Sequence, residues 1–132
     1  MEELKKKILL VDDEEEILGF LSATLKRNNY EVVATSKAVE ALELAKEVKP
    51  DVIILDVVMP GVDGGELAVS LGNDSKTKDI PIIFATGLVD KKEELSQIKA
   101  GKQYELLVKP VDPKELLATL TRVLLTTEEP QS

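Results

Sequence analysis

The stretch Val52-Ile-Ile-Leu-Asp-Val-Val-Met-Pro-Gly61 restricts the fold more than any other part of the chain. Four aliphatic residues run without a polar break into Asp56, and Met59-Pro60-Gly61 then opposes both strand and helix. A short, uninterrupted apolar run closed by turn residues is the pattern of a strand covered on both faces. Strands of that kind belong to parallel sheets with helices on either side, where ligands gather beyond the carboxyl ends of the strands. Asp56 stands at such an end. A single aspartate there can simply cap a turn, so its meaning depends on what the other strand ends carry.

A second apolar run, Ile8-Leu9-Leu10-Val11, follows Lys5-Lys6-Lys7 and also ends in carboxylates, Asp12 and Asp13. Three more strands are read at Tyr30 to Thr35, at Ile80 to Ala85 with Thr86 at its end, and at Tyr104 to Val108, which Lys109-Pro110 terminates. Between them lie helical patterns. Glu14 to Asn28 sets Leu18, Leu21 and Leu25 at helical spacing, with acidic residues in the first turn where the helix dipole favours them. Ile17 and Phe20 of this helix lie off that stripe, either widening the apolar face or standing exposed for a partner. Ser36 to Lys49 reads as a helix with Val39, Leu42, Ala45 and Val48 inward, ended by Pro50. Gly64 to Leu71 reads as a short helix, and Lys91 to Ala100 as a polar one anchored only by Leu95 and Ile98, the least firmly held. Asp112 caps the last helix, Pro113 opens it, and Leu116, Leu117, Leu120, Val123 and Leu124 form its apolar side.

Five strands alternating with five helices specify an α/β domain, a flavodoxin-like doubly wound five-stranded parallel sheet of order 2-1-3-4-5. Residues 1–132 read as a single domain with its core at about 7–125 and a frayed tail at 126–132. In that topology the ends of strands one, three, four and five meet on one rim, which collects Asp12, Asp13, Asp56, Thr86 and Lys109. Composition limits what the rim can do. The chain has no cysteine and no histidine, so thiolate and imidazole chemistry are excluded and carboxylates, lysines and hydroxyls remain. A formal charge of −8 opposes binding to nucleic acid or to anionic membranes. The longest apolar runs fall far short of the ~20 residues of a membrane span, and the expected location is the cytoplasm.

The segments Leu9-Leu10-Val11-Asp12-Asp13, Leu55-Asp56-Val57-Val58-Met59-Pro60-Gly61-Val62-Asp63-Gly64, Pro81-Ile82-Ile83-Phe84-Ala85-Thr86 and Lys109-Pro110, at these separations, resemble the receiver domain of two-component response regulators, in particular chemotaxis-type regulators. The resemblance runs from about Lys7 to Leu125. It implies that Asp56 is the phosphoacceptor. It implies that Asp12, Asp13, Asp56 and the backbone carbonyl of Val58 hold Mg²⁺, that Thr86 donates its hydroxyl to the phosphoryl group, and that Lys109 pairs with that group. A cis peptide before Pro110 is implied as well. The expected partners are a histidine kinase or histidine phosphotransfer protein, which meets the first helix, and a downstream protein target that the sequence does not identify. On this reading the chain is not an enzyme toward any separate substrate, although it catalyses its own phosphorylation and a slow dephosphorylation.

Elementary chemistry supports the same roles. A carboxylate that attacks phosphorus in a dianionic donor must overcome repulsion, so it needs a hard cation held by oxygen ligands and an ammonium nearby. Three clustered aspartates suit such a cation and repel one another without it. The sequence departs from the family at two places. The aromatic residue usually found three positions before the strand-five lysine is Leu106 here, and the segment from Ala100 to Lys109 is one residue longer than usual. A bulge that absorbs the extra residue would let Tyr104 take the aromatic's place. Slow hydrolysis is expected because Val58 and Leu88, two positions beyond Asp56 and Thr86, cannot orient an attacking water. A haloacid-dehalogenase-like phosphatase would carry a second aspartate where Val58 stands, and a nucleotide binder would not follow strand one with Asp12-Asp13-Glu14-Glu15-Glu16. The alternative that remains is a pseudo-receiver, an interaction module that is never phosphorylated.

Overall fold

The computed structural model describes residues 5–59, 61–87 and 104–128. In chain order these form β1 (Lys7–Val11), α1 (Glu15–Arg27), β2 (Glu31–Thr35), a 3₁₀ turn (Ala38–Glu40) that leads into α2 (Ala41–Val48), and β3 (Val52–Asp56). The two-residue strands β4 (Val58–Met59) and β5 (Val62–Asp63) follow, then α3 (Gly64–Asn73), β6 (Ile82–Thr86), β7 (Tyr104–Val108) and α4 (Pro113–Glu128). The five longer strands form one sheet of order β2-β1-β3-β6-β7, with every neighbouring pair parallel. Counting only those five, this is the 2-1-3-4-5 order of the flavodoxin-like fold. Four helices are described; the polar helix expected over Lys91 to Ala100 lies outside the described residues.

Successive residues of the central strands point to opposite faces, and both faces are covered. Ile8, Leu10, Val52 and Ile54 pack beneath Leu18, Leu21 and Leu25 of α1 and Leu116, Leu120 and Val123 of α4. Leu9, Val11, Ile53, Leu55 and Phe84 pack on the other side against Ala38, Ala41, Ala45, Ala68 and Leu71. Every residue of β3 is buried, as its unbroken apolar run requires.

Three local expectations are corrected. Val39 is not inward but 79% exposed, because the 3₁₀ turn sets Ala38 and Ala41 inward, one residue before the expected Val39 and Leu42, while Ala45 is buried as expected. Leu42 packs against that core from a half-buried position. Met59-Pro60-Gly61 does not exclude strand on either side of the turn, since Val58 pairs with Asp63 and Met59 with Val62, with Gly61 at φ +74°. Helix α4 runs through Glu128, past the expected start of the tail at 126, because Thr126-Thr127-Glu128 contains no residue that breaks a helix. On α1 the structure separates the undecided pair. Ile17 packs against the core, whereas Phe20 is 54% exposed.

Candidate functional site

Hydrogen bonding fixes the rim one residue beyond the strands. Asp12 N–H donates to Thr35 O at 3.3 Å, Val57 N–H to Ala85 O at 3.3 Å, and Lys109 N–H to Thr86 O at 2.8 Å. The register pairs Val11 with Leu55, Asp56 with Ala85 and Thr86 with Val108. Asp12, Asp56, Thr86 and Lys109 therefore leave adjacent strands at one edge. Asp12, Asp56 and Thr86 are buried there, and the peptide bond Lys109–Pro110 is cis, as the resemblance implies.

The loop that follows Asp56 is held as firmly as the strand. Gly64 N–H donates to Val57 O at 3.0 Å, and a Cβ on Gly64 would lie 2.6 Å from Val57 Cα and 2.7 Å from Asp56 O. Only glycine permits that approach. Asp63 caps α3 by accepting from Gly65 N–H at 2.7 Å and Glu66 N–H at 3.3 Å. The β4–β5 turn is thereby tied to α3, which fixes the backbone of Val58 beside the rim.

Charge decides what the rim can do. Lys109 Nζ lies 2.8 Å from Asp12 Oδ2, 3.2 Å from Asp56 Oδ2 and 3.4 Å from Glu14 Oε1. Burial works to depress the pKa of this ammonium, but the hydrogen bond to Asp12 and the attraction of Asp56 and Asp12 outweigh it, and the net shift is upward from 10.5. One carboxylate oxygen from each of Asp12, Asp13, Glu14 and Asp56 falls within 4.8 Å of the others. Among the described residues, one ammonium thus pairs with three of the four clustered carboxylates, an excess of negative charge that suits a hard divalent cation with oxygen ligands. Outside them an open depression of about 430 Å³ is lined by Asp13, Glu14, Glu15, Glu16 and Ser36.

The structure brings Asp12, Asp13 and Asp56 together, the convergence that the strand ends predict, and joins Lys109 to Asp12 and Asp56, whereas the resemblance implies its pairing with a phosphoryl group. Thr86 reaches the same rim from β6, and Val58 follows immediately in the β4–β5 turn. Glu14 is the site residue that sequence reading passed over. In sequence it merges with Glu15 and Glu16 into an acidic first turn, yet it is the residue before α1, where its carbonyl accepts from Leu18 N–H at 3.0 Å and its side chain lies 3.4 Å from Lys109 Nζ. The bulge proposed to move Tyr104 is not found within β7. The register from Ile82–Tyr104 to Thr86–Val108 is unbroken, so Leu106 keeps the family's aromatic position and Tyr104 lies two positions farther from the rim. Leu88 lies outside the described residues.

Comparison with known proteins agrees with this geometry. The response regulator receiver domain model matches residues 8–121. The probable transcriptional regulator ycf27 of Guillardia theta is 39% identical over 127 residues, which cover 96% of this chain. The chain spans 48% of that relative's length, about half. The chemotaxis response regulator CheY4 of Vibrio cholerae superposes with a TM-score of 0.81 at 36% identity, covering 91% of this chain and 99% of that one. The receiver domain of the sensor histidine kinase PA1611 of Pseudomonas aeruginosa PAO1, solved with a magnesium ion coordinated in its active-site cleft, superposes with a TM-score of 0.80 at 25% identity, covering 92% and 98%.

Proposed function

This chain belongs to the response regulator receiver domain family, and from that premise we propose that Asp56 accepts a phosphoryl group in a two-component phosphorelay. The observation that carries the proposal is Lys109 Nζ at 3.2 Å from Asp56 and 2.8 Å from Asp12, beside a cluster of four acidic side chains at the rim. Asp12, Asp13 and Asp56, with the backbone carbonyl of Val58, would hold Mg²⁺. A magnesium ion bound there lowers the repulsion between the carboxylates and a dianionic phosphoryl donor.

Asp56 is the nucleophile. One of its oxygens attacks phosphorus, the bond from phosphorus to the donor's nitrogen or oxygen breaks, and the departing group keeps that electron pair. Lys109 would neutralise charge on the transferred phosphoryl oxygens, and the Thr86 hydroxyl would donate to one of them. Phosphorylation would replace a carboxylate of one negative charge by an acyl phosphate of about two, a new tetrahedral dianionic group in a buried setting that would bias a conformational equilibrium read by a target protein.

We infer a regulator acting in the cytoplasm, not an enzyme with a separate metabolite substrate, whose only catalysis is its own phosphorylation and slow dephosphorylation. The partners we infer are a histidine kinase or histidine phosphotransfer protein upstream and a protein target downstream. Phe20, exposed on α1, suits the upstream contact. The acidic net charge and the absence of any membrane-spanning helix among the described residues favour neither nucleic acid nor membrane as its ligand. Incubation with acetyl phosphate and Mg²⁺ tests the assignment by intact mass. The wild-type chain is expected to gain one phosphoryl group and Asp56→Asn none; stoichiometric labelling of Asp56→Asn at one other site removes Asp56 from the role.

A further inference from the structure

An ammonium carries three N–H donors, and Lys109 has three carboxylate neighbours: Asp12 at 2.8 Å, Asp56 at 3.2 Å and Glu14 at 3.4 Å. Its donors are matched one to one before any phosphoryl group arrives. A phosphoryl oxygen that is to be stabilised by Lys109 must therefore take the place of one of these partners. Asp12 is buried and forms the shortest contact, and Asp56 is the acceptor itself. Glu14 has the longest contact and an exposed side chain, so its bond is the least costly to break. Glu14 also lines the open acidic depression beside the rim, where its charge repels a dianionic donor approaching from that side.

We propose that Glu14 is a positioning residue that occupies Lys109 in the resting state and competes with the incoming phosphoryl group for that ammonium, setting the rate at which Asp56 is phosphorylated. The inference rests on the phosphoacceptor reading above. Its chemistry has two opposed consequences. Because Glu14 contributes one of the four clustered carboxylates, its removal weakens attraction for a divalent cation. Because it restrains Lys109 and repels the donor, its removal speeds the chemical step once the cation site is full. A residue that merely supports the fold has no reason to shift these two quantities in opposite directions.

The test compares wild-type protein with Glu14→Gln and Glu14→Asp, using acetyl phosphate as donor at saturating Mg²⁺ and calorimetric titration with Mg²⁺ alone. Glu14→Gln keeps the shape and removes the charge; it is expected to raise the labelling rate about threefold, the scale of losing one exposed ion pair, while weakening Mg²⁺ binding severalfold. Glu14→Asp keeps the charge but shortens the arm by one methylene, so it is expected to label faster than wild type while binding Mg²⁺ nearly as well. Faster labelling by both variants supports competition through the Lys109 contact. Wild-type rates in Glu14→Asp overturn the contact and leave only the field of a nearby charge, and unchanged or slower labelling in Glu14→Gln overturns the proposal altogether. A wild-type chain that takes no label overturns the phosphoacceptor reading and this inference with it, whereas a labelled wild type with an unaltered Glu14→Gln overturns this inference alone.

Discussion

Two lysines in this molecule each face more than one carboxylate at almost the same distances. Lys109 Nζ lies 2.8 Å from Asp12 and 3.2 Å from Asp56, whose side chains are 3% and 5% exposed. Lys46 Nζ lies 3.0 Å from Asp74 and 3.3 Å from Glu43, whose side chains are 23% and 78% exposed. Contact length does not separate the two groups; surroundings do. Around Lys46, water and salt screen each charge, and the pairing does little beyond tying α2 to the end of α3. Around Lys109, on the rim, each charge depends on its neighbours for solvation, so changing one partner changes the state of all. On the proposed function, that dependence would let a chemical event at Asp56 be felt through the fold.

Breaking the rim group should have the largest effect. Lys109→Met removes the cation from two buried carboxylates, and the loss is expected to be about 3 kcal/mol of metal-free stability, near the lower end for a broken buried pair because one side of the rim is open to water. Denaturant melts measure it. Added Mg²⁺ should restore part of the loss, since a divalent cation can take over the charge that Lys109 neutralised. A loss no greater than that of an exposed lysine would place Lys109 with Lys46 and erase the contrast.

Much of this rim was legible in the sequence because it depends on strand ends. Apolar runs that stop at Asp12, Asp56 and Lys109 locate those residues to within one position, and parallel topology then brings them together whatever the loops do. Glu14 was not legible as a site residue. It sits in a run of three glutamates with nothing local to single it out, and only the distance to Lys109, far away in the chain, gives it a role. Val39 shows the same limit within the fold. Helical periodicity locates a buried face, but a 3₁₀ entry rotates that face by a residue, and small alanines carry too weak a hydrophobic signal to reveal the rotation. The β4–β5 pairing was hidden for another reason. Two-residue strands are made by a turn and by the close approach of Gly64 to Val57, not by any run of strand-forming residues.

Sharpening the rim is the next largest effect, and it concerns how long the signal lasts. On the proposed function the acyl phosphate would be lost when water attacks phosphorus in line, and neither valine nor leucine, the residue types at 58 and 88, can hydrogen-bond that water. Replacing Val58 with Asn and Leu88 with Glu is expected to speed loss of the phosphoryl group roughly tenfold, about 1.4 kcal/mol of barrier. The decay of the phosphorylated form in Mg²⁺ buffer gives the rate directly. Decay of the unaltered protein within seconds, or a longer lifetime in the double variant, contradicts shielding by these residues.

A smaller effect tests whether the rim is under self-repulsion before it binds a cation. Asp13 is half-buried beside Asp12 and Asp56, where like charges oppose one another. Asp13→Ala should leave metal-free stability unchanged or raise it by about 1 kcal/mol, while abolishing calorimetric Mg²⁺ binding. A clear loss of metal-free stability would instead make Asp13 a structural hydrogen-bonding residue.

The smallest effect is expected at Lys46, and its pH dependence completes the contrast. The pKa of Asp74 is lowered from 3.8, first by the hydrogen bond from Lys76 N–H and then by that from Lys46. The pKa of Lys46 is raised from 10.5, first by the hydrogen bond to Asp74 and then by that to Glu43. A depressed carboxylate stabilises the fold above its unfolded pKa and loses that contribution as pH falls through its lower folded value; a raised lysine stabilises below 10.5 and loses its contribution as pH rises past its folded value. Between about pH 5 and 9 both groups are charged in the folded and unfolded states. The stability difference between wild type and Lys46→Met should therefore be small and flat across that window, should narrow below about pH 4 as Asp74 takes up its proton, and should shrink in high salt at neutral pH. Thermal melts over this range provide the measurement. A difference that approaches the Lys109→Met loss, or that ignores salt, would show that Lys46 and Asp74 form a group as interdependent as the rim.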